Sequence, residues 1–93
     1  MEINEEVCSK IEELASKLVP PSQMAALLDL NEDGLKLALN RHSHPARKAF
    51  LKGMANTANK IRATNIELAE TGSPDAIHGC FNSMREMINE LLD

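Results

Sequence analysis

Large aliphatic residues recur every three or four positions through most of this chain, and that spacing constrains the fold more than any other feature of the sequence. A β-strand places every second side chain on one face, whereas a period of about 3.6 residues collects apolar side chains on one face of a helix. Only two aromatic residues, Phe50 and Phe81, occur among the 93 residues, so leucine, isoleucine, methionine and alanine must supply the core. The sequence therefore predicts an all-α fold.

Proline and capping residues divide this pattern into five predicted helices. We expect them at about residues 4–18, 23–30, 32–41, 45–71 and from 74 onwards. Pro20 and Pro21 should end the first helix, and Ser22 and Asn31 are the expected N-caps of the second and third helices. Apolar residues occupy most of the circumference of the second helix, so we expect it to be largely buried.

The segment PSQMAALLDLNEDGLKLALNR, residues 21–41, has the pattern of a helix-turn-helix. Ala25 is small where two helices must approach closely, and leucines are spaced to fill the wedge between them: Leu28, Leu30 and Leu35. Asp29 occupies the expected left-handed turn position, a conformation that Asp tolerates better than most residues. A plain three-helix bundle with the same short turn is the alternative.

The last two predicted helices are longer and meet at a tight turn. Gly72 should adopt a left-handed conformation, and Ser73 should cap a fifth helix that opens at Pro74. Gly53 lies inside the fourth helix, where a missing side chain permits close packing. An apolar seam follows the fourth helix and a stripe follows the fifth: Phe50, Met54, Thr57, Ile61 and Leu68, then Ile77, Cys80, Phe81, Met84, Ile88 and Leu91.

The predicted architecture is an N-terminal three-helix helix-turn-helix unit over residues 1–43, followed by a long antiparallel helical hairpin over residues 44–93. Both parts should pack as one continuous domain, with the hairpin used for assembly. Two facing helices cannot cover both the seam and the stripe. Together with the small size of the chain, this predicts a homo-oligomer, most simply a dimer.

Charge is strongly segregated along the chain, although the net charge is only −4. Residues 34–66 contain seven basic residues and no acid, while the segments on both sides are acidic. Such a stretch either pairs with the acidic flanks of the same fold or forms a phosphate-binding surface. Glu32 and Asp33 lie just before it and would repel phosphate. The candidate DNA-binding residues are Lys36, Asn40, Arg41, Arg47, Lys48 and Lys52.

Residues with catalytic or metal-binding chemistry do not form a recognisable pattern. His42 and His44 are too close for a helical metal pair, and His78 is remote in sequence. Cys8 and Cys80 form no CxxC motif and have no adjacent base. We therefore expect no enzyme, metal site or cofactor. The N-terminus is acidic, and no apolar run approaches the roughly 20 residues needed to span a bilayer. Both features favour a cytoplasmic protein with reduced thiols and no membrane association.

Three segments resemble small helix-turn-helix DNA-binding proteins of phages and mobile elements, including terminase small subunits. They are PSQMAALLDLNED, AFLKGMANTANKIR and IELAETGSPDA, which together span about residues 21–77. Such relatives tend to carry a Lys-Gly pair, matched here by Lys52-Gly53. They also tend to carry an L-A-x-x-G-[SD]-x-x-A connection, matched from Leu68-Ala69 to Ala76.

The resemblance implies recognition of double-stranded viral or mobile-element DNA, with a hairpin that assembles the chain into an oligomer. It also implies a larger packaging or regulatory protein as a further partner. An assembly or adaptor module with a helix-turn-helix fold that binds protein rather than DNA is the alternative. Basic residues that converge on one face would favour DNA, whereas dispersed or Glu-paired basic residues would favour the adaptor.

Overall fold

The structure is a computed structural model that describes the backbone of residues 3–92 and the side chains of residues 3–90. Over this range the chain forms five helices and no strand, which confirms the all-α prediction for the described residues. The helices are α1 (Glu5–Ser16), α2 (Pro21–Leu28), α3 (Glu32–Leu39), α4 (Pro45–Glu70) and α5 (Pro74–Leu92). The Leu91 side chain, assigned to the stripe of the fifth helix, lies outside the described side chains.

The helices belong to two compact units that divide within α4. The first unit ends at Thr57 and the second begins at Ala58. The first half of α4 thus belongs with α1, α2 and α3, whereas the sequence pattern placed all of it with α5. Contacts between α4 and α1 account for this difference.

Aliphatic side chains from α1, α2 and α3 form the core of the first unit. Ile11, Met24 and Leu35 are the largest fully buried side chains, and each comes from a different helix. Ala25 is buried beside them, and α2 packs on both α1 and α3. At full burial, each large aliphatic side chain contributes about 1.5–3 kcal/mol. Half-buried residues surround this core, among them Val7, Leu14, Leu28, Leu30 and Phe50.

Small residues on α4 allow it to pack closely against α1. Ala46 is fully buried, and Gly53 lies directly against the α1 backbone. A Cβ atom on Gly53 would overlap the Glu12 carbonyl oxygen and lie 2.9 Å from the Ala15 Cβ. One turn further along α4, the Thr57 hydroxyl donates a hydrogen bond to the Ser16 carbonyl oxygen. The expectation that Gly53 permits close packing is confirmed.

The ends of α1, α2 and α3 lie up to two residues from their predicted positions, and two of these differences change the role expected of a residue. α1 ends at Ser16, and Leu18, predicted on its apolar stripe, has a left-handed backbone (φ 62°) and a side chain that is 59% exposed. Ser22 does not cap α2, because the helix already begins at Pro21, which has no backbone N–H to satisfy. α2 is also less buried than expected, since Leu27 is largely exposed.

The second unit consists of the second half of α4 and of α5, joined by the turn at residues 71–73. Gly72 has a φ of 91°, and the Ser73 N–H donates to the Leu68 carbonyl oxygen at 3.1 Å, which closes the α4 terminus. The Ser73 hydroxyl accepts from the Ala76 N–H at 3.4 Å. Both predictions for this turn are confirmed.

The two helices of the second unit lie side by side, but they bury little. A Cβ on Gly79 of α5 would lie 3.4 Å from the Asn65 amide nitrogen of α4. Among the side chains described in this unit, only Ala76 is buried. Ile61 and Leu68 of the predicted seam are exposed, and so are three of the five stripe residues whose side chains are described: Phe81, Met84 and Ile88.

Candidate nucleic-acid interface

The turn between α2 and α3 sets the direction in which α3 leaves the core. Asp29 adopts the left-handed conformation expected for it, with φ 57° and ψ 39°. The Leu30 N–H then donates to the Ala25 carbonyl oxygen at 2.9 Å, which satisfies a carbonyl at the end of α2. Asn31 caps α3 as predicted, since its side-chain oxygen accepts from the Gly34 N–H at 2.8 Å.

The exposed side of α3 and its C-cap residue present an acid, a base and an amide on successive turns. Glu32, Lys36 and Asn40 follow one another at i, i+4 spacing and are all exposed. The Lys36 ammonium lies 3.4 Å from the Glu32 carboxylate. Because both side chains are about half exposed, water and salt screen this pair, which is worth at most about 1 kcal/mol. A phosphate group could therefore compete with Glu32 for Lys36.

Arg47 connects the end of α3 to the beginning of α4. One guanidinium nitrogen donates to the Leu39 carbonyl oxygen at 2.9 Å, and the side chain is half-buried. Leu39 is the last residue of α3, so this hydrogen bond satisfies a carbonyl that has no partner within its helix. A guanidinium carries five N–H donors, so Arg47 retains donors for a second acceptor such as phosphate.

Three of the six candidate DNA-binding residues border one surface cleft. Lys36 of α3, Asn40 at the C-cap of α3 and Arg47 of α4 line it, around a volume of about 220 Å³. Apolar residues form the rest of its wall: Pro21, Leu39, Phe50 and Leu51. Two cations and an amide thus lie around one concave surface at the junction of α3 and α4.

The other three candidates lie outside the wall of this cleft. Arg41, Lys48 and Lys52 are all exposed. The Lys52 ammonium lies 4.0 Å from the Glu12 carboxylate of α1, at the outer limit of an ion pair. Lys48 and Lys52 are one turn apart on α4, so they present positive charge along the same side of that helix.

Two features near this site carried little signal in the sequence. His44 was assigned only to a turn, but its Nδ1 atom accepts from the Ala46 N–H at 3.0 Å and so caps α4. The hydrogen bond between Arg47 and Leu39 was also not predicted. Its acceptor is a backbone carbonyl, which every residue has, so the residue types do not indicate it. His44 directly before Pro45 was the one available indication, since proline favours the first position of a helix.

The Cys8 thiol and the possible metal ligands are the remaining candidates for reactive chemistry among the described residues. Burial, with a smaller contribution from the Glu5 carboxylate, raises the pKa of the Cys8 thiol. Cys8 is therefore protonated near neutral pH, the opposite of an activated nucleophile. Among the described residues, no group of three His, Cys, Asp or Glu side chains is arranged to hold a metal ion.

Comparisons with protein families, with curated proteins and with solved structures found no match for the chain. The resemblance to phage helix-turn-helix proteins is therefore still a prediction. Within residues 3–92, none of the helices combines the length and the apolar character needed to cross a membrane.

Proposed function

We propose that this chain is a non-enzymatic DNA-binding protein in which α2 and α3 form a helix-turn-helix. The observation that supports this proposal is the cleft bordered by Lys36, Asn40 and Arg47. Lysine and arginine supply phosphate contacts, and an asparagine amide can donate to and accept from a base edge. In this proposal α3 enters the major groove, and the beginning of α4 contacts the adjacent backbone.

The turn between α2 and α3 has the short, left-handed form that a helix-turn-helix requires, a form that a plain three-helix bundle would share. Its left-handed Asp29 and the cap from Asn31 keep the connection short and orient α3. The buried Ala25 and Leu35 lie on the two helices that flank the turn. The exposed side of α3 is therefore the side that would meet DNA.

The resemblance of residues 21–77 extends the proposal to a biological setting. We propose a phage or mobile-element protein similar to terminase small subunits, which binds double-stranded DNA as a homo-oligomer. In this proposal α4 and α5 form the antiparallel hairpin that assembles the oligomer. A larger packaging or regulatory protein would be a further partner.

An adaptor that binds protein rather than DNA is the second candidate, and two ion pairs favour it. Lys36 and Lys52 both lie near glutamates, Glu32 and Glu12, as expected if the basic stretch only balances acidic neighbours. Asp33 adds a second carboxylate at the first turn of α3. These carboxylates would weaken the attraction between α3 and phosphate.

Fluorescence anisotropy with generic duplex DNA at low and moderate salt tests DNA binding directly. Each phosphate that a cation neutralises contributes a slope of about −0.9 to the dependence of log affinity on log salt. If all five candidate cations contact the backbone, the slope should be about −4 to −5. No binding at low salt would contradict the proposal.

Single charge reversals on α4 locate the contact. Lys48→Glu should weaken binding to all duplexes alike and reduce the salt slope by about 1. Lys60→Glu makes the same change on the same helix but outside the candidate surface, so it should leave affinity close to that of the native protein. An equal loss in both variants would indicate a nonspecific effect of net charge.

Two further variants separate sequence reading from charge. Asn40→Ala should change the preference between duplex sequences selected from a random pool, because a lost base contact affects some sequences more than others. Glu32→Gln combined with Asp33→Asn should strengthen binding of a protein that already binds DNA. If the double variant binds where the native protein does not, α3 belongs to an assembly fold and the adaptor function is favoured.

A further inference from the structure

The second unit presents an apolar groove between the second half of α4 and α5. Ile66 lines it from α4 and Cys80, Met84 and Met87 line it from α5, around a volume of about 230 Å³. Ile66, Met84 and Met87 are all more than half exposed. Two packed helices have no third layer to cover such a surface, so it remains in contact with water in a single chain.

A row of three residues runs along α4 at this groove. Arg62, Ile66 and Glu70 are separated by four residues each and therefore lie on one side of the helix, one turn apart. Arg62 also lines the groove. At 1.5 Å per residue, the Cα atoms of Arg62 and Glu70 are about 12 Å apart, with Ile66 midway. The row thus consists of a cation, an apolar residue and an acid at even spacing.

The charged ends of this row have no ion-pair partner among the described residues of the same chain. The ion pairs found there involve other glutamates and lysines, in the first unit. Arg62 and Glu70 are both exposed. Each end of the row can therefore accept a group of opposite charge from outside the chain.

We infer that this groove binds a second copy of the chain in antiparallel orientation, about a two-fold axis at the level of Ile66. A two-fold axis makes contacts reciprocal. Arg62 then faces Glu70 of the second copy, Glu70 faces Arg62 of the second copy, and the two Ile66 side chains meet between them. Met84 and Met87 become covered at the centre of a four-helix bundle. This inference rests on the oligomer in the proposed function, and not on DNA binding.

Size and charge both favour a second copy over another occupant. The second unit spans residues 58–93. Units of fewer than about 40 residues usually need a disulfide, a metal or oligomerisation for stability. A parallel arrangement of the same two rows would place Arg62 against Arg62 and Glu70 against Glu70. Only the antiparallel arrangement satisfies both charged ends.

Sedimentation velocity without DNA, over the micromolar range, tests the inference with three variants of the row and one control variant. Arg62→Glu and Glu70→Arg each convert two attractive contacts into two repulsive ones, so each should raise the Kd of the dimer about tenfold or more. The double variant restores opposite charges and should return the Kd to within a few fold of the native value. Lys60→Glu also replaces a cation by a carboxylate, but at a residue outside the row, so it should leave the Kd of the dimer unchanged.

Circular dichroism of each variant checks that helix content is retained, which these exposed positions should allow. A native protein that sediments as one chain would overturn the inference, and so would a double variant as weak as the single variants. An equal effect of Lys60→Glu would overturn the proposed pairing as well. Because DNA is absent, none of these results depends on whether α3 binds DNA, and the anisotropy measurements decide that question separately.

Discussion

Three residues with left-handed backbones end three of the helices, and they are chemically different. They are Leu18 after α1, Asp29 after α2 and Gly72 after α4. Asp29 and Gly72 were predictable, because Asp and Gly tolerate this conformation. Leu18 was not, since leucine rarely adopts it and its place in the apolar pattern indicated a helix. The N–H of Val19 nevertheless donates to the Leu14 carbonyl oxygen at 3.1 Å, the same closure that Ser73 makes after α4.

Because the backbone at Leu18 is left-handed, a glycine at this position should give a more stable protein than an alanine, the reverse of their usual order. Leu18→Ala and Leu18→Gly both remove the exposed side chain, but only glycine relieves the left-handed strain of about 1–2 kcal/mol. We expect the glycine variant to be more stable than the alanine variant by about 1 kcal/mol in urea unfolding. Position 34, within α3, is the control. There the Gly34→Ala variant should be more stable than the native protein, with its glycine, by up to about 1 kcal/mol.

The close approach of α4 to α1 makes Gly53 the least replaceable glycine of the first unit. Gly53→Ala would drive a Cβ into the Glu12 backbone, and no side-chain rotation can relieve that overlap. We expect it to lower the free energy of unfolding by about 1–3 kcal/mol, although alanine is the better helix former. Gly34→Ala is the matched control, because its Cβ would meet Asn31 at an ordinary 3.5 Å. Equal stability of the two variants would contradict the close packing.

At the scale of the helices, the presence of each helix was easier to predict than the residues at which it begins and ends. Apolar periodicity located all five helices, since it reflects the face that each one buries. The ends were less certain, because several residues near an end can serve as the cap. Ser22 looked like the cap of α2, but Pro21 begins the helix and Pro20 occupies the cap position without a side-chain hydrogen bond. Asn31 looked equally suitable and does cap α3.

Alanine substitutions distinguish the true cap from the apparent one. Asn31→Ala removes the acceptor for the Gly34 N–H and should lower the free energy of unfolding by about 1 kcal/mol. Ser22→Ala replaces an exposed residue within the first turn of α2, where alanine is a better helix former, so stability should change by a few tenths of a kcal/mol or rise slightly. Urea unfolding monitored by circular dichroism measures both. A larger loss at Ser22 than at Asn31 would mean that α2 begins later in solution.

At the scale of the whole molecule, composition predicted the aliphatic core but not its extent. Ala46, Gly53 and Thr57 join α4 to the first unit through a surface of small residues, which carries no apolar signal in a periodicity analysis. The candidate site was likewise predicted in part. Charge and spacing identified Lys36, Asn40 and Arg47, but their grouping depends on how α3 and α4 meet. That meeting is a tertiary contact, and no local pattern encodes it.

Hydrogen exchange should report the unequal burial of the two units. Backbone amides near Ile11 and Leu35 lie in a packed core, so their protection should be high and independent of protein concentration. Amides of α5 from Cys80 to Met84 should exchange faster in dilute solution. Their protection should rise with concentration if a second copy covers the groove. Protection in α5 that is the same at all concentrations would indicate that the second unit is stable without a partner.

The contrast between Gly53 and Gly72 has a consequence for the mutations that the gene can accept. Every single-base change in a glycine codon that alters the amino acid adds at least a Cβ atom, and at position 53 any Cβ meets the α1 backbone. At position 72 a Cβ would meet nothing within 4 Å, and only the backbone conformation is restrictive. Random mutagenesis followed by selection for folded protein should therefore leave codon 53 almost invariant. Codon 72 should still admit aspartate, which a single-base change reaches from a glycine codon that ends in a pyrimidine.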